Sequence, residues 1–265
     1  QRRHQLMDYE AARDTPPTNF PALPPIPSAR YTDAGFYELE RQVMFRKTWL
    51  LAGHLHEMPE PGDFHRWDMV GLPVVLVHTE DGSVNALLNR CSHRGAPVAM
   101  ANKGKKKRFT CPYHGWSYAH DGKLLAVRDA RDFRDLDMSA SGLRRLRCER
   151  LGKLIFVNFD LHTPSLRECL GALVDEWAEF DLENCRLSRR DRFTVRCNWK
   201  IAMEANLEVY HVPSIHGRTV APVLDSRRDT QTLHGNPGGR KLAAQERSPE
   251  PARSPTACSR ISSCH

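Results

Sequence analysis

Between Trp49 and Phe159 the apolar residues fall in short runs of strand-like character: WLLAGH, DFHRWDM, PVVLVH, SVNALL, KLLAV and KLIFVNF. Turn signals at Pro61-Gly62, Asp81-Gly82 and Asp121-Gly122 separate several of them, as tight reversals require. Short strands at this spacing predict an antiparallel, sandwich-like β domain. On either side the period lengthens. Asp33 is placed to cap a helix reaching Thr48, with Phe36, Leu39 and Val43 on one face. Ser165 begins a second helix whose stripe, Leu166, Leu170, Leu173 and Trp177, has the character of core. Beyond it, RRDRFTVRCNW (189–199) alternates as a strand. The following stretch reads as a helix until Pro213 disturbs it.

Composition narrows the class. A chain of 265 residues can hold two domains and bury a substantial core. Charged residues at 27% and hydrophobic residues at 40% are those of an ordinary soluble protein. The longest apolar runs, Pro73 to Val77 and Leu154 to Val157, are far below the roughly 20 residues of a membrane-spanning helix. The opening QRRHQLMDYEAARD has no apolar signal-peptide region, so a cytoplasmic location and no membrane partner are expected. The first residue is not Met, so the natural N-terminus is expected upstream. Residues 1–30 form a proline-rich arm, and 236–265, rich in Arg, Ser and Pro, read as a disordered tail.

Charge adds one feature. The net charge is +7, and its densest cluster is Lys103, Lys105, Lys106, Lys107 and Arg108. Such a cluster is either a solvated loop or a docking patch for an acidic electron donor. No nucleic-acid motif accompanies it, so no nucleic-acid partner is expected.

The candidate chemistry lies in two knuckles, Cys91-x-His93 and Cys111-x-x-His114, with seventeen residues between them. Each offers one thiolate and one imidazole. A zinc finger usually separates its ligand types, two cysteines in one knuckle and two histidines in the other. Mixed knuckles on parallel loops place Cys beside Cys and His beside His, which suits a [2Fe–2S] cluster with Cys₂ on one iron and His₂ on the other. A zinc or structural Cys/His site is the alternative. Gly95, Pro97, Pro112 and Gly115 supply tight loops. The six scattered cysteines, Cys148, Cys169, Cys185, Cys197, Cys258 and Cys264, read as reduced thiols.

A second constellation follows in NWKIAMEANLEVYHVPSIHG (198–217). On a helix Glu204, Glu208 and His211 share a face, and His216 can swing back toward His211 beyond Pro213. Two imidazoles beside a carboxylate are the material of a non-haem Fe(II) site. His-x₄-His alone is a weak signal.

CSHRG and CPYHGW resemble the two cluster-binding boxes of Rieske proteins. Ala96 and Tyr113 stand where the cytochrome-complex branch carries an extra disulfide, so the oxygenase or ferredoxin branch is implied. NWK with the downstream Glu-x-x-His and second His, together with YTD…GFYELE…FRKTWLLAGH…PGDF, is similar to the Rieske non-haem iron oxygenase (aromatic ring-hydroxylating dioxygenase) α subunit over about 30–235. The resemblance implies an α+β fold: a Rieske domain with its leading helix at 31–164, then a partial, helix-grip (START-like) catalytic domain at 165–235. It implies cluster ligands Cys91, His93, Cys111 and His114, iron ligands His211 and His216, and Glu208 as the carboxylate bridging His211 to His114 of an adjacent copy. Glu204 and Tyr210 would shape the pocket.

The family's third iron ligand, a far-downstream carboxylate, has no counterpart among Asp225, Asp229, Glu246 and Glu250. A truncated or frame-shifted C-terminus and a mononuclear site of low affinity are therefore expected. The implied partners are a reductase or ferredoxin drawing on NAD(P)H, O₂ and an organic substrate, aromatic or amine, to be hydroxylated, dihydroxylated or demethylated. A homotrimer is expected for a complete chain. The rival readings are a Rieske-type electron carrier and an inactive oxygenase fragment.

Overall fold

The computed structural model describes residues 25–69, 71–222, 230–235 and 241–246. Two helices lead, α1 (Ala29–Thr32) and α2 (Ala34–Val43). As the pattern predicts, the Asp33 side chain caps α2, accepting from the Phe36 amide at 2.8 Å. The helix stops at Val43 rather than Thr48.

The β domain then contains β1 (Leu50–His54), β2 (Asp63–Met69), β3 (Leu72–His78), β4 (Val84–Leu88), β5 (Lys103–Lys105), β6 (Phe109–Thr110), β7 (Ser117–Tyr118), β8 (Leu124–Ala126), β9 (Arg145–Leu151) and β10 (Leu154–Asn158). Seven strands make one sheet in the order β1-β10-β9-β4-β3-β2-β5, and β6-β7-β8 make a second. Every pairing is antiparallel. All six predicted runs are strands.

The sheet is buried on both faces, and the two-residue period assigns each side chain. On β3, Val74 and Leu76 enter one core with Trp67, Ala86, Ile155 and Val157. Their neighbours Val75 and Val77 enter another with Phe64, Leu87, Val98, Phe109, Trp116 and Tyr118. This second core joins the large sheet to the small one, and the small one carries the second knuckle. Burial of so many aliphatic and aromatic side chains, each contributing about 1.5–3 kcal/mol, sets a rigid base beneath the two loops.

At the other end of the sheet Leu151 and Phe156 pack with Leu166, Leu170, Val174 and Trp177. Ser165 does start this helical stretch, through a reciprocal capping box with Glu168. It is two helices, α3 (Leu166–Leu170) and α4 (Leu173–Ala178), because Gly171 takes φ 55° and ψ −129° between them. The break shifts the helical phase by one residue, so Val174 occupies the place expected of Leu173.

Residues 189–195 are not a strand: they have no regular structure, and Phe193 and Val195 are 80% and 67% exposed. Their alternation is real, yet among the described residues no strand lies alongside to pair with them. The helix expected from Asn198 to His211 is also shorter. It comprises α5 (Trp199–Glu204), a turn, and α6 (Val212–Ile215).

A hairpin of β11 (Thr230–Gly235) and β12 (Lys241–Glu246) follows, so 241–246 departs from the disorder expected there. The remainder of the tail and residues 1–24 lie outside the described residues. Among the described residues no helix is long and apolar enough to cross a membrane.

Candidate functional site

The two knuckles have the same local architecture. The Cys91 amide donates to the Ala96 carbonyl at 2.8 Å, and the Gly95 amide to the Cys91 carbonyl at 2.8 Å. In the second loop the Cys111 amide donates to Trp116 O at 2.8 Å, and Gly115 N–H to Cys111 O at 3.0 Å. Each loop thus turns back on its own cysteine, and each turn needs a left-handed residue four positions on. Gly95 (φ 72°) and Gly115 (φ 76°) provide it.

The two thiols share one core and the two imidazoles meet. Cys91 and Cys111 are 4% and 2% exposed, and the His93 and His114 rings stand edge to face with centroids 4.6 Å apart. His93 stacks flat on Trp116 at 4.9 Å, and Phe133 closes on both rings. Tyr113 lies against His114 at 3.8 Å. Desolvation, then the nearby His93, Arg94 and Arg128, push the His114 imidazole below its usual range, toward the neutral form that ligates a metal. His93 Nδ1 is buried with no hydrogen-bond partner, although buried polar atoms are nearly always satisfied. A metal bond would satisfy it.

Among the described residues no three His, Cys, Asp or Glu side chains gather as a single-ion cage. Two paired loops, one thiol and one imidazole each, fit a two-iron cluster better than one tetrahedral ion.

Sequence reasoning missed the residues that brace these loops. Asn89, 1% exposed, accepts from the amides of Val98 and Ala99 at 2.9 Å each and donates to Ala99 O at 2.9 Å. The Tyr118 hydroxyl lies 3.0 Å from Cys91 Sγ and bonds Ser92 through both its amide and its hydroxyl. Burial, then the bond to Cys91, raises the Tyr118 pKa, so it remains a donor to a thiolate at any ordinary pH. Neither residue type has a signature by itself; their places flanking the boxes were the one available signal.

Downstream, the structure brings Glu208, His211 and His216 together. Glu208 Oε1 hydrogen-bonds His211 Nδ1, and Oε2 accepts from the His211 amide at 3.1 Å. This hydrogen bond holds Glu208 below the usual carboxylate range. His211 and His216 have ring centroids 5.4 Å apart. Glu204 and Tyr210 are not part of the group. Glu204 accepts from Tyr31 Oη, and Tyr210 is 91% exposed. The single turn of helix that would have aligned Glu204 with Glu208 does not form.

Residues 48–137 match the Rieske [2Fe-2S] domain family. Residues 180–260 match the catalytic domain of the ring hydroxylating alpha subunit, a match that continues past 235 into the expected tail. The chain is 31% identical over 200 residues to the glycine betaine monooxygenase oxygenase subunit of Pseudomonas aeruginosa (76% of this chain, 46% of that protein). It is 33% identical over 202 residues to the anthranilate 1,2-dioxygenase large subunit of Acinetobacter baylyi (73% and 42%). The chain spans about half the length of the curated relatives it matches. Among solved structures it resembles a quaternary ammonium Rieske monooxygenase described as giving insights into carnitine oxidation and inter-subunit electron transfer. That likeness has TM-score 0.74, 26% identity, and coverage of 78% of this chain and 57% of that one.

Proposed function

Since the chain belongs to the Rieske oxygenase α subunits, we propose that Cys91, His93, Cys111 and His114 hold a [2Fe–2S] cluster and that His211 and His216 hold a mononuclear iron. Together they serve the oxidation of an organic substrate, an aromatic compound or a quaternary amine. When bound, the cluster supplies single electrons and the mononuclear iron supplies O₂ activation.

The chain's own residues do the rest. The buried cysteines and the Tyr118 hydroxyl form a dry inner wall, while the two imidazoles stand toward the loop surface. Glu208 fixes the His211 ring, and therefore which nitrogen faces a metal, through the Nδ1 bond. Its second oxygen accepts from the His211 amide, and the half-exposed carboxylate, held ionised by these bonds, would bridge to a neighbouring copy's His114. A reductase or ferredoxin would deliver the electrons, and a trimer would bring one copy's cluster to the next copy's Glu208.

One observation carries this reading: two identically hydrogen-bonded loops that place both thiols inside and both imidazoles side by side. The experiment is anaerobic reconstitution with iron and sulfide, metal and acid-labile sulfide analysis, and EPR after dithionite reduction. About two tightly held irons and two sulfides per chain, a further iron of low affinity that a mild chelator removes, and a spectrum lost in Cys91→Ser are expected. Zinc without sulfide would overturn it.

A further inference from the structure

The residues that open the downstream constellation make contacts that neither metal site requires. Glu40 of α2 is only 8% exposed. Its Oε2 accepts from Trp199 Nε1 at 3.0 Å, and its two oxygens accept from Lys200 Nζ at 2.7 and 2.9 Å. The same ammonium lies 5.5 Å from the Tyr31 and Phe36 ring centroids and 5.2 Å from that of Trp199. Phe45 packs edge-on against Trp199 at 5.1 Å.

Two more bonds complete the attachment. Asn198, the α5 cap, accepts from the Lys200 amide and donates from Nδ2 to Tyr31 O, each at 3.0 Å. At the other end of α5 the Tyr31 hydroxyl donates to Glu204 at 2.9 Å.

A six-residue helix does not persist alone in water. This one is fixed from its cap to its last residue by groups some 160 positions earlier in the chain. A buried ion pair adds little net stability, but it admits few geometries. α5 then leads through one turn to Glu208 and His211.

We propose that Glu40, with Tyr31, is a positioning residue: it anchors α5, and through α5 sets how Glu208, His211 and His216 face one another. This rests on reading the two histidines as a metal pair.

The test uses the full, cluster-reconstituted chain as wild type, Glu40→Ala and Glu40→Gln, with Tyr31→Phe as a milder variant. Amide hydrogen exchange is followed separately over 198–206 and 207–217, and Co(II) alone is titrated with His211→Ala as the blank. In Glu40→Ala, exchange quickens in both segments and Co(II) affinity falls about tenfold or more, the scale of losing an outer support. The visible spectrum of the iron–sulfur centre stays unchanged. Glu40→Gln, which keeps an acceptor for Trp199, is intermediate. Faster exchange confined to 198–206 overturns the positioning role. Should wild type bind no Co(II) through His211, the metal-pair reading falls, and the exchange over 207–217 still decides whether Glu40 orders that segment.

Discussion

Asn89→Ala removes the brace of the first knuckle at a calculable cost. The carboxamide makes three bonds at 2.9 Å, two from amides and one to a carbonyl. Val98 and Ala99, which own those backbone groups, are 1% and 0% exposed, so water does not replace the lost partner. Each stranded buried group costs about 1–3 kcal/mol. The losses are not additive in one loop, and about 4 kcal/mol is expected in total. In a unit of this size that is a fall in Tm of roughly 8–16 °C. The assay is calorimetry of the reconstituted chain, with the visible absorbance of the cluster followed in parallel. Asn89→Asp retains the acceptor for both amides but sets an oxygen against the Ala99 carbonyl, and falls between. A loss under about 1 kcal/mol, less than one stranded amide costs, with full cluster occupancy, would refute the reasoning.

Three further outcomes follow from the geometry. Burial pushes the Cys148 thiol up to about 12, whereas Cys185 and Cys197 are exposed. Brief alkylation at pH 8 should label the latter two and spare Cys148, read by peptide mass spectrometry; prompt labelling of Cys148 would contradict its placement. Asp81 is held at about 2 by bonds from Thr79 and Ser83 in the β3–β4 turn. A depressed carboxylate pKa stabilises the fold above its unfolded value and loses that effect as pH falls. The turn's contribution should therefore be complete above about pH 4 and fade toward pH 2, and Asp81→Asn should flatten the acid-unfolding curve in that window. Gly152 has φ 55°, and a Cβ there would lie 2.6 Å from the Leu182 carbonyl carbon. Gly152→Ala should cost at least the roughly 1–2 kcal/mol of a left-handed residue, seen as a lower denaturation midpoint; an unchanged midpoint would sink the β9–β10 turn as described.

Much of the β domain was legible because its main strands are short apolar runs, several of them closed by turn signals. β9 was not, since RLRCERL hides Leu146 and Cys148 among charges. Those charges have partners on the outer face: Arg147 pairs with Glu149, and Glu149 accepts from the Leu166 amide at 2.8 Å. The polar–apolar alternation over 145–149 is there, but two short apolar side chains among charged ones make it faint. The two- and three-residue strands β5, β6 and β7 are below what any period can reveal. On β5, Lys103 and Lys105 lie on the outermost strand of seven, where lysines discourage pairing with another chain. That accounts for part of the basic cluster without a partner.

The downstream site separates two kinds of inference that look alike on a helical wheel. A spacing of three residues brings side chains together in a helix and equally in a turn, so Glu208 meets His211 even though no helix runs through them. A spacing of seven needs two uninterrupted turns. Glu204 is bonded to Tyr31 instead, and the chain leaves helical geometry after it. Short-range pairing is thus a property of the local sequence, while the longer face depends on what the rest of the molecule does with the helix. Here that is decided at Tyr31 and Glu40, two positions that no spacing rule ties to the histidines. The contacts that orient this site begin in the helix preceding the first strand.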